Sequence, residues 1–125
     1  MNPEDLKYSK EHEWARVDGN TVTIGITQFA AEQLGDVVYV DLPESGADVE
    51  QFGKFGEIES VKTVSDLFSP VGGKIIEVNA AVKDNPEKVN EDTYGDGWLM
   101  KIEISDQSQI DNLMDADGYE SHIAD

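Results

Sequence analysis

The residue whose type and setting could do chemistry is Lys62, at the centre of Gly56-Glu57-Ile58-Glu59-Ser60-Val61-Lys62-Thr63-Val64-Ser65-Asp66. By default a lysine is a solvated surface charge. This one lies near the midpoint of 125 residues in which eight lysines and one arginine face twenty-seven acids. It also stands in a Glu-Ser-Val-Lys word with related sequence on either side. An exposed amine on a rigid scaffold, far from both chain ends, suits a point of attachment. Unaided, the ε-amine is charged and unreactive, so an external ligase must modify it. Any redox or acyl chemistry then belongs to the attached group. A flat acidic surface around the amine would favour recognition by basic enzymes.

The other candidates carry less. His12 and His122 are far apart, and no spacing of carboxylates completes a zinc site around them. His122 reads as tail surface, and His12, in His12-Glu13-Trp14, as packing. Asp92, Asp96, Gly97 and Glu103 fill the first, fifth, sixth and twelfth places of a calcium loop. Tyr94 fails the third place and Leu99 onward reads as strand, so that match is taken as chance. Gly72-Gly73-Lys74 lacks the rest of a phosphate loop. No serine sits in a nucleophile elbow, and acids are too many for one acid–base pair to stand out. No catalytic residue and no metal site is expected: the chain reads as a substrate of enzymes, not as one.

Composition narrows the class further. The chain has no cysteine, which excludes disulfides and thiol chemistry and fits a reducing compartment. A net charge of −18 repels phosphate backbones and anionic membranes, so neither nucleic acid nor membrane is expected as a partner. No apolar run reaches membrane-spanning length, and Met1 to Lys7 lack a signal-peptide core. A soluble, cytoplasmic monomer is the expectation. The acidity also suits a halophilic source, which salt-dependent stability would support.

The elements that must position Lys62 are short strands. Trp14 to Val17 and Thr21 to Ile26, joined by Asp18-Gly19-Asn20, read as a hairpin. Thr27 caps a short helix over Gln28 to Leu34, with Phe29, Ala30 and Leu34 inward and Gly35 as its stop. Then comes a repeat. Gly35-Asp36-Val37-Val38-Tyr39-Val40-Asp41 and Gly73-Lys74-Ile75-Ile76-Glu77-Val78-Asn79 match at every apolar position, 38 residues apart. Each copy leads through an acidic loop with a lone valine, Val49 or Val89, to a glycine-led strand, Phe55 to Glu59 or Gly97 to Glu103. Two copies suit a closed domain of two pseudo-symmetric halves, with Lys62 between them, and not a solenoid. The short strands argue for an antiparallel sandwich or barrel. From Ser105 the period turns helical: Ile110, Leu113 and Met114 share a face, Gly118 interrupts, and Tyr119 with Ile123 forms one more short helix. The β-branched Val61, Thr63 and Val64 place Lys62 in mid-strand.

With these words in order, the chain resembles the glycine cleavage system H protein family. Glu59-Ser60-Val61-Lys62, with Ser65-Asp66 and Ser69-Pro70, looks like the family's lipoyl-lysine segment. Tyr8 to Trp14, Gly25-Ile26-Thr27, Leu34-Gly35-Asp36, Val40 to Glu44, and Tyr94 with Gly97-Trp98 agree as well, from about Leu6 to Tyr119. Acyltransferase lipoyl domains usually carry Asp-Lys-Ala and biotin carriers Met-Lys-Met, and Val61-Lys62-Thr63 is neither. Two departures are Thr63, where alanine is common, and Phe29, where histidine is common. The second bears on any polar contact from the first helix to the arm.

The resemblance implies a mostly β, barrel-sandwich hybrid over residues 1–125, with a lipoyl-like core at about 21–104, one short helix in the N-terminal half and C-terminal helices. It puts Lys62 at the tip of a tight turn, overriding propensity, with lipoate attached to it. The implied function is a shuttle that takes an aminomethyl group from glycine decarboxylase (P protein) to aminomethyltransferase (T protein). Dihydrolipoamide dehydrogenase (L protein) reoxidises the arm. Glu59 and Gly73 match positions presented to lipoate-attaching enzymes. Glu13, Ile26 and Asp66 match the cleft that shelters the loaded arm, where carboxylates would pair with a cationic amine. The rival readings are a lipoyl relay to other complexes, told apart by reconstitution with the P, T and L proteins, and an unmodified acidic interaction module, told apart by intact mass. A calcium protein would show calcium-dependent stability.

Overall fold

The computed structural model describes residues 3–124. The opening hairpin forms where its turn chemistry lies. Strands β1 (Lys7–Tyr8), β2 (Glu13–Asp18) and β3 (Thr21–Ile26) run antiparallel, and Asp18 pairs with Thr21 across a Gly19-Asn20 turn. Gly19 takes the positive φ (+62°) that such a turn requires. Helix α1 (Gln28–Leu34) starts at Thr27, whose hydroxyl accepts the Ala30 N–H at 3.2 Å, and ends at Gly35. Its buried residues are Ala31 and Leu34, whereas Phe29 and Ala30, expected inward, are only half-buried. Phe29 instead packs against His12, and that contact sets one wall of the site described below.

The strands β4 (Val37–Asp41), β5 (Asp48–Val49), β6 (Lys54–Ser60), β7 (Val64–Phe68), β8 (Gly73–Val78) and β9 (Met100–Ile104) complete two sheets. One has six strands in the order β1-β2-β3-β9-β8-β5, and the other three, β4-β6-β7. This is the mostly β, barrel-sandwich arrangement expected from the resemblance. The sequence repeat is visible as structure. β4 pairs with β6 and β8 with β9, both antiparallel, and each pairing shifts register at the matching place: between Val37 and Tyr39, and between Ile75 and Glu77. A bulge bends its strand and increases the twist, so the two halves curl alike. They diverge in the loops. Val49 lies in the two-residue β5, while Val89 is buried in α3 (Lys88–Glu91), which follows α2 (Ala80–Asp84).

The main core lies between the sheets and includes Ile24, Val40, Ile58, Leu67, Ile75 and Ile102. A second cluster, Leu6, Tyr8, Trp14, Ala116 and Tyr119, ties the N-terminal strands to α4 (Ala116–Ala124). Its indole lies flat on Gly25, where a Cβ would fall 2.6 Å from the ring. Three expectations need correction here. The strand expected from Gly97 begins only at Met100, because the Asn79 amide donates to the carbonyls of Asp96 and Trp98 and holds that stretch as a loop. Gly118 does not interrupt the tail: it sits inside α4, its N–H donated to Asp115 Oδ1 at 2.8 Å. Met114 is not helical either, since it exchanges both backbone hydrogen bonds with Tyr8. Among the described residues no helix is long and apolar enough to cross a membrane.

Candidate functional site

Lys62 stands at the tip of the β6–β7 hairpin, exposed, in a three-residue connection formed by Val61, Lys62 and Thr63. Strand propensity alone puts it in mid-strand, and one side chain explains the difference. Ser60 turns inward, its N–H donates to the Thr63 carbonyl at 2.8 Å, and its Oγ accepts the N–H groups of Lys62 (3.1 Å) and Thr63 (3.2 Å). A hydroxyl that satisfies two consecutive backbone donors closes a turn without glycine. Val61 N–H then donates to the Asp36 carbonyl at 3.0 Å, docking the tip on the segment after α1. That segment is itself braced from a distance. Asn90, on α3, donates to the Gly35 carbonyl and accepts the Val37 N–H, both at 2.8 Å, and so brackets Asp36.

Gly35 has a second task. Its φ of +80° favours glycine, and a Cβ there would come within 3.2 Å of Lys62 Cε. The lysine stem therefore lies over bare backbone. Its amine makes no hydrogen bond or ion pair among the described residues. An unpartnered amine on a stem cradled by a glycine fits an acylated lysine, so the site fits the group that the resemblance implies.

Beside the hairpin a groove of about 380 Å³ runs between β7 and α1, and Glu13, Ile26 and Asp66 all line it. The sequence places them far apart; register brings Glu13 opposite Ile26, and the hairpin brings Asp66 across from both. Phe29, Leu34 and Ile58 add apolar wall. Glu13 is wholly buried. One carboxyl oxygen accepts from the Ser9 hydroxyl and the other from the Phe68 N–H at 3.2 Å. Burial pushes this carboxyl up to about 8, against the pull of those two hydrogen bonds. Asp66 is half-exposed and holds Lys54 at 3.2 Å, which also meets Glu57 at 3.0 Å.

His12 packs as the sequence suggests, against Phe29, Tyr119 and His122. It takes a left-handed φ of +71° at the groove wall, with its Nδ1 2.8 Å from the Tyr119 hydroxyl. That hydroxyl also meets Thr27 Oγ1 at 2.7 Å. Burial, then the neighbouring His122, lowers the pKa of His12. His122, expected as tail surface, is half-buried: its ring is tilted against that of His12 with centroids 5.8 Å apart, and its Nε2 lies 3.1 Å from the Lys10 carbonyl. Glu59 is exposed on the β6 strand that leads to Lys62. Gly73 lies in the other sheet, where a Cβ would fall 2.1 Å from the Glu103 carbonyl oxygen. The sequence reading missed Ser60 and Asn90 as positioning residues. A serine two residues before the lysine is a recognisable turn signal; nothing local marks Asn90.

Comparisons with known proteins show what the chain is similar to. The family model described as glycine cleavage H-protein matches residues 6–125. A glycine cleavage system H protein of Symbiobacterium thermophilum is 56% identical over 119 residues, 95% of this chain and 93% of that protein. One of Staphylococcus carnosus is 53% identical over 121 residues, 97% and 96% of the two chains. The crystal structure of a glycine cleavage system H protein from Mycobacterium marinum superposes with a TM-score of 0.89 at 39% identity, covering 98% of this chain and 99% of that one.

Proposed function

The chain belongs to the glycine cleavage H-protein family, and from that premise we propose that Lys62 is the amine bearing its lipoyl group. The protein is a carrier and not a catalyst, and it moves the lipoyl-bound aminomethyl group among the P, T and L proteins of the glycine cleavage system. The lipoyl group, when bound, supplies the disulfide chemistry that takes up and releases this cargo.

The chain's own residues do the rest. Ser60, with Asp36 braced by Asn90, fixes the direction in which Lys62 leaves the scaffold. Gly35 leaves room for the stem. Ile26, Phe29, Leu34 and Ile58 offer apolar walls that exclude water from a folded-back arm. Glu13 and Asp66 bring carboxylates to the same groove, and a cation approaching Glu13 favours its ionised form over the protonated one that burial favours. We assign Glu13, Ile26 and Asp66 to the arm cleft on this placement. Glu59 and Gly73 are assigned to recognition by lipoate-attaching enzymes, Glu59 with the support of its exposure next to the hairpin tip. The single-domain reading, with a lipoyl-like core at about 21–104, a monomeric state and a cytoplasmic location, belongs to the same proposal. A net charge of −18 supports the monomer through self-repulsion.

The observation that carries the proposal is an unpartnered, exposed lysine at a hairpin tip beside a groove lined by a buried carboxyl group. Peptide mass analysis of protein from lipoate-making cells is expected to find one lipoyl group, on Lys62. Lys62→Ala is expected to lose lipoylation and all support of glycine cleavage while keeping its melting temperature. Lipoate found on another lysine would overturn the assignment.

A further inference from the structure

Glu13 is 1% exposed in the groove wall, and among the described residues no lysine or arginine forms a salt bridge with it. The groups that face it do not supply the missing charge. Glu11, on the same loop, is another acid, and Asp66, on β7, is engaged with Lys54. Burial disfavours the cationic form of His12 and keeps the Tyr119 phenol of α4 neutral. A carboxyl so placed holds its proton until a cation arrives.

Ser9 is wrapped around the same residue. The loop from Ser9 to Glu13 joins β1 to β2, and the Ser9 N–H donates to the Glu13 carbonyl at 2.9 Å. The Ser9 hydroxyl, itself buried, accepts the Glu13 N–H at 3.2 Å and donates its proton to Glu13 Oε1. A hydroxyl has one proton to give, and this one goes to the carboxyl whose own backbone steers the oxygen. Oε2 is held from the other side by the Phe68 N–H at 3.2 Å. Two donors from separate elements thus fix the carboxyl, and each oxygen keeps a further lone pair for a proton or a cation. The Phe68 amide comes with the backbone. The Ser9 hydroxyl is the donor that a side chain supplies.

We propose that Ser9 is a positioning residue for the cargo: through its hydroxyl it orients the Glu13 carboxyl and readies it to exchange a proton for the cationic amine of the load. The proton leaves to solvent as the ammonium group arrives, so the charge of the groove is unchanged. A hydrogen bond given to a carboxylate is stronger than one given to the neutral acid, so Ser9 works against burial and towards the form the cargo needs. This rests on Glu13 belonging to the arm cleft.

The test titrates the Glu13 carboxyl of the unmodified protein by carbon NMR, its signal assigned with Glu13→Gln. The wild-type midpoint is expected at about 8. Ser9→Ala is expected to move it upward by about one pH unit, as for loss of one hydrogen bond to a charged group. Ser9→Thr, which keeps the hydroxyl, is expected to titrate like the wild type, and Ser9→Cys, a weaker donor, between the two. In the lipoylated carrier loaded from glycine by the P protein, Ser9→Ala is expected to shorten the lifetime of the aminomethyl load about tenfold at pH 7, and to regain the wild-type lifetime as the pH passes its own midpoint. A Glu13 midpoint unmoved in folded Ser9→Ala, or a lifetime deficit equal at every pH, would overturn the role of Ser9 and leave the cleft standing. A load that survives as long in Glu13→Gln as in the wild type would remove Glu13 from the cleft, and the role of Ser9 with it.

Discussion

Glu13 shows how much a single side chain can depend on its surroundings. A carboxyl pushed up to about 8 by burial holds its proton in the folded protein, while the same group in the unfolded chain ionises in the ordinary glutamate range. Its contribution to stability is thus full below that range and is lost as the pH rises towards about 8. Urea unfolding midpoints are expected to fall between about pH 5 and about pH 9 in the wild type, and Glu13→Gln is expected to flatten that fall. A slope unchanged in the variant would place the pH dependence elsewhere. At this scale the sequence was partly legible. Lys62 stood out through its setting, and Glu13, Ile26 and Asp66 came through the family resemblance. The burial of Glu13 could not be read, and the turn signal of Ser60 was overlooked. Burial is a property of the assembled sheets, and the Ser60 hydroxyl competes with strand propensity in a way that β-branched neighbours conceal.

Among the elements, the hairpin and the repeat were legible because their signals are local. The Gly19-Asn20 turn, the Thr27 cap and the Gly35 stop all lie where turn and cap chemistry puts them. The twin bulges in β4 and β8 give structural form to a 38-residue repeat that the sequence already displays. What could not be read was long-range bracing. Asn90 lies 53 residues from Val37 and holds it by a side-chain bond. Asn90→Ala removes that acceptor and the donor to Gly35 together, and is expected to cost about 2 kcal/mol in denaturant unfolding. Faster hydrogen exchange at Val61 and Lys62 is expected alongside, because the segment that docks the hairpin tip loses its clamp. A stability loss with the tip amides unaltered would separate the brace from the lysine. The tail was misread for a related reason: Met114 is held extended by Tyr8, a partner more than a hundred residues away.

The whole molecule is governed by its charge. Nine cations against twenty-seven acids leave the folded surface repelling itself. Few of those acids find a counter-ion: three salt bridges appear among the described residues, two of them sharing Lys54. Added salt screens such repulsion, over about 10 Å at 0.1 M. The melting temperature is therefore expected to rise with sodium chloride, by roughly 4 °C for each kcal/mol of repulsion removed at this chain length. A flat response would mean that the acids are too widely spread to oppose folding.

The stack of Tyr8 on Tyr119, ring centroids 4.8 Å apart, gives the two chain ends a shared fate. A protease that trims back the last helix also unroofs the first strand, and it takes away the phenol that steadies His12 and Thr27 at the rim of the groove. Digestion from the C-terminus should thus leave a survivor with an intact hairpin and a groove that has lost part of its rim. Damage at one extremity would be felt at the proposed arm cleft.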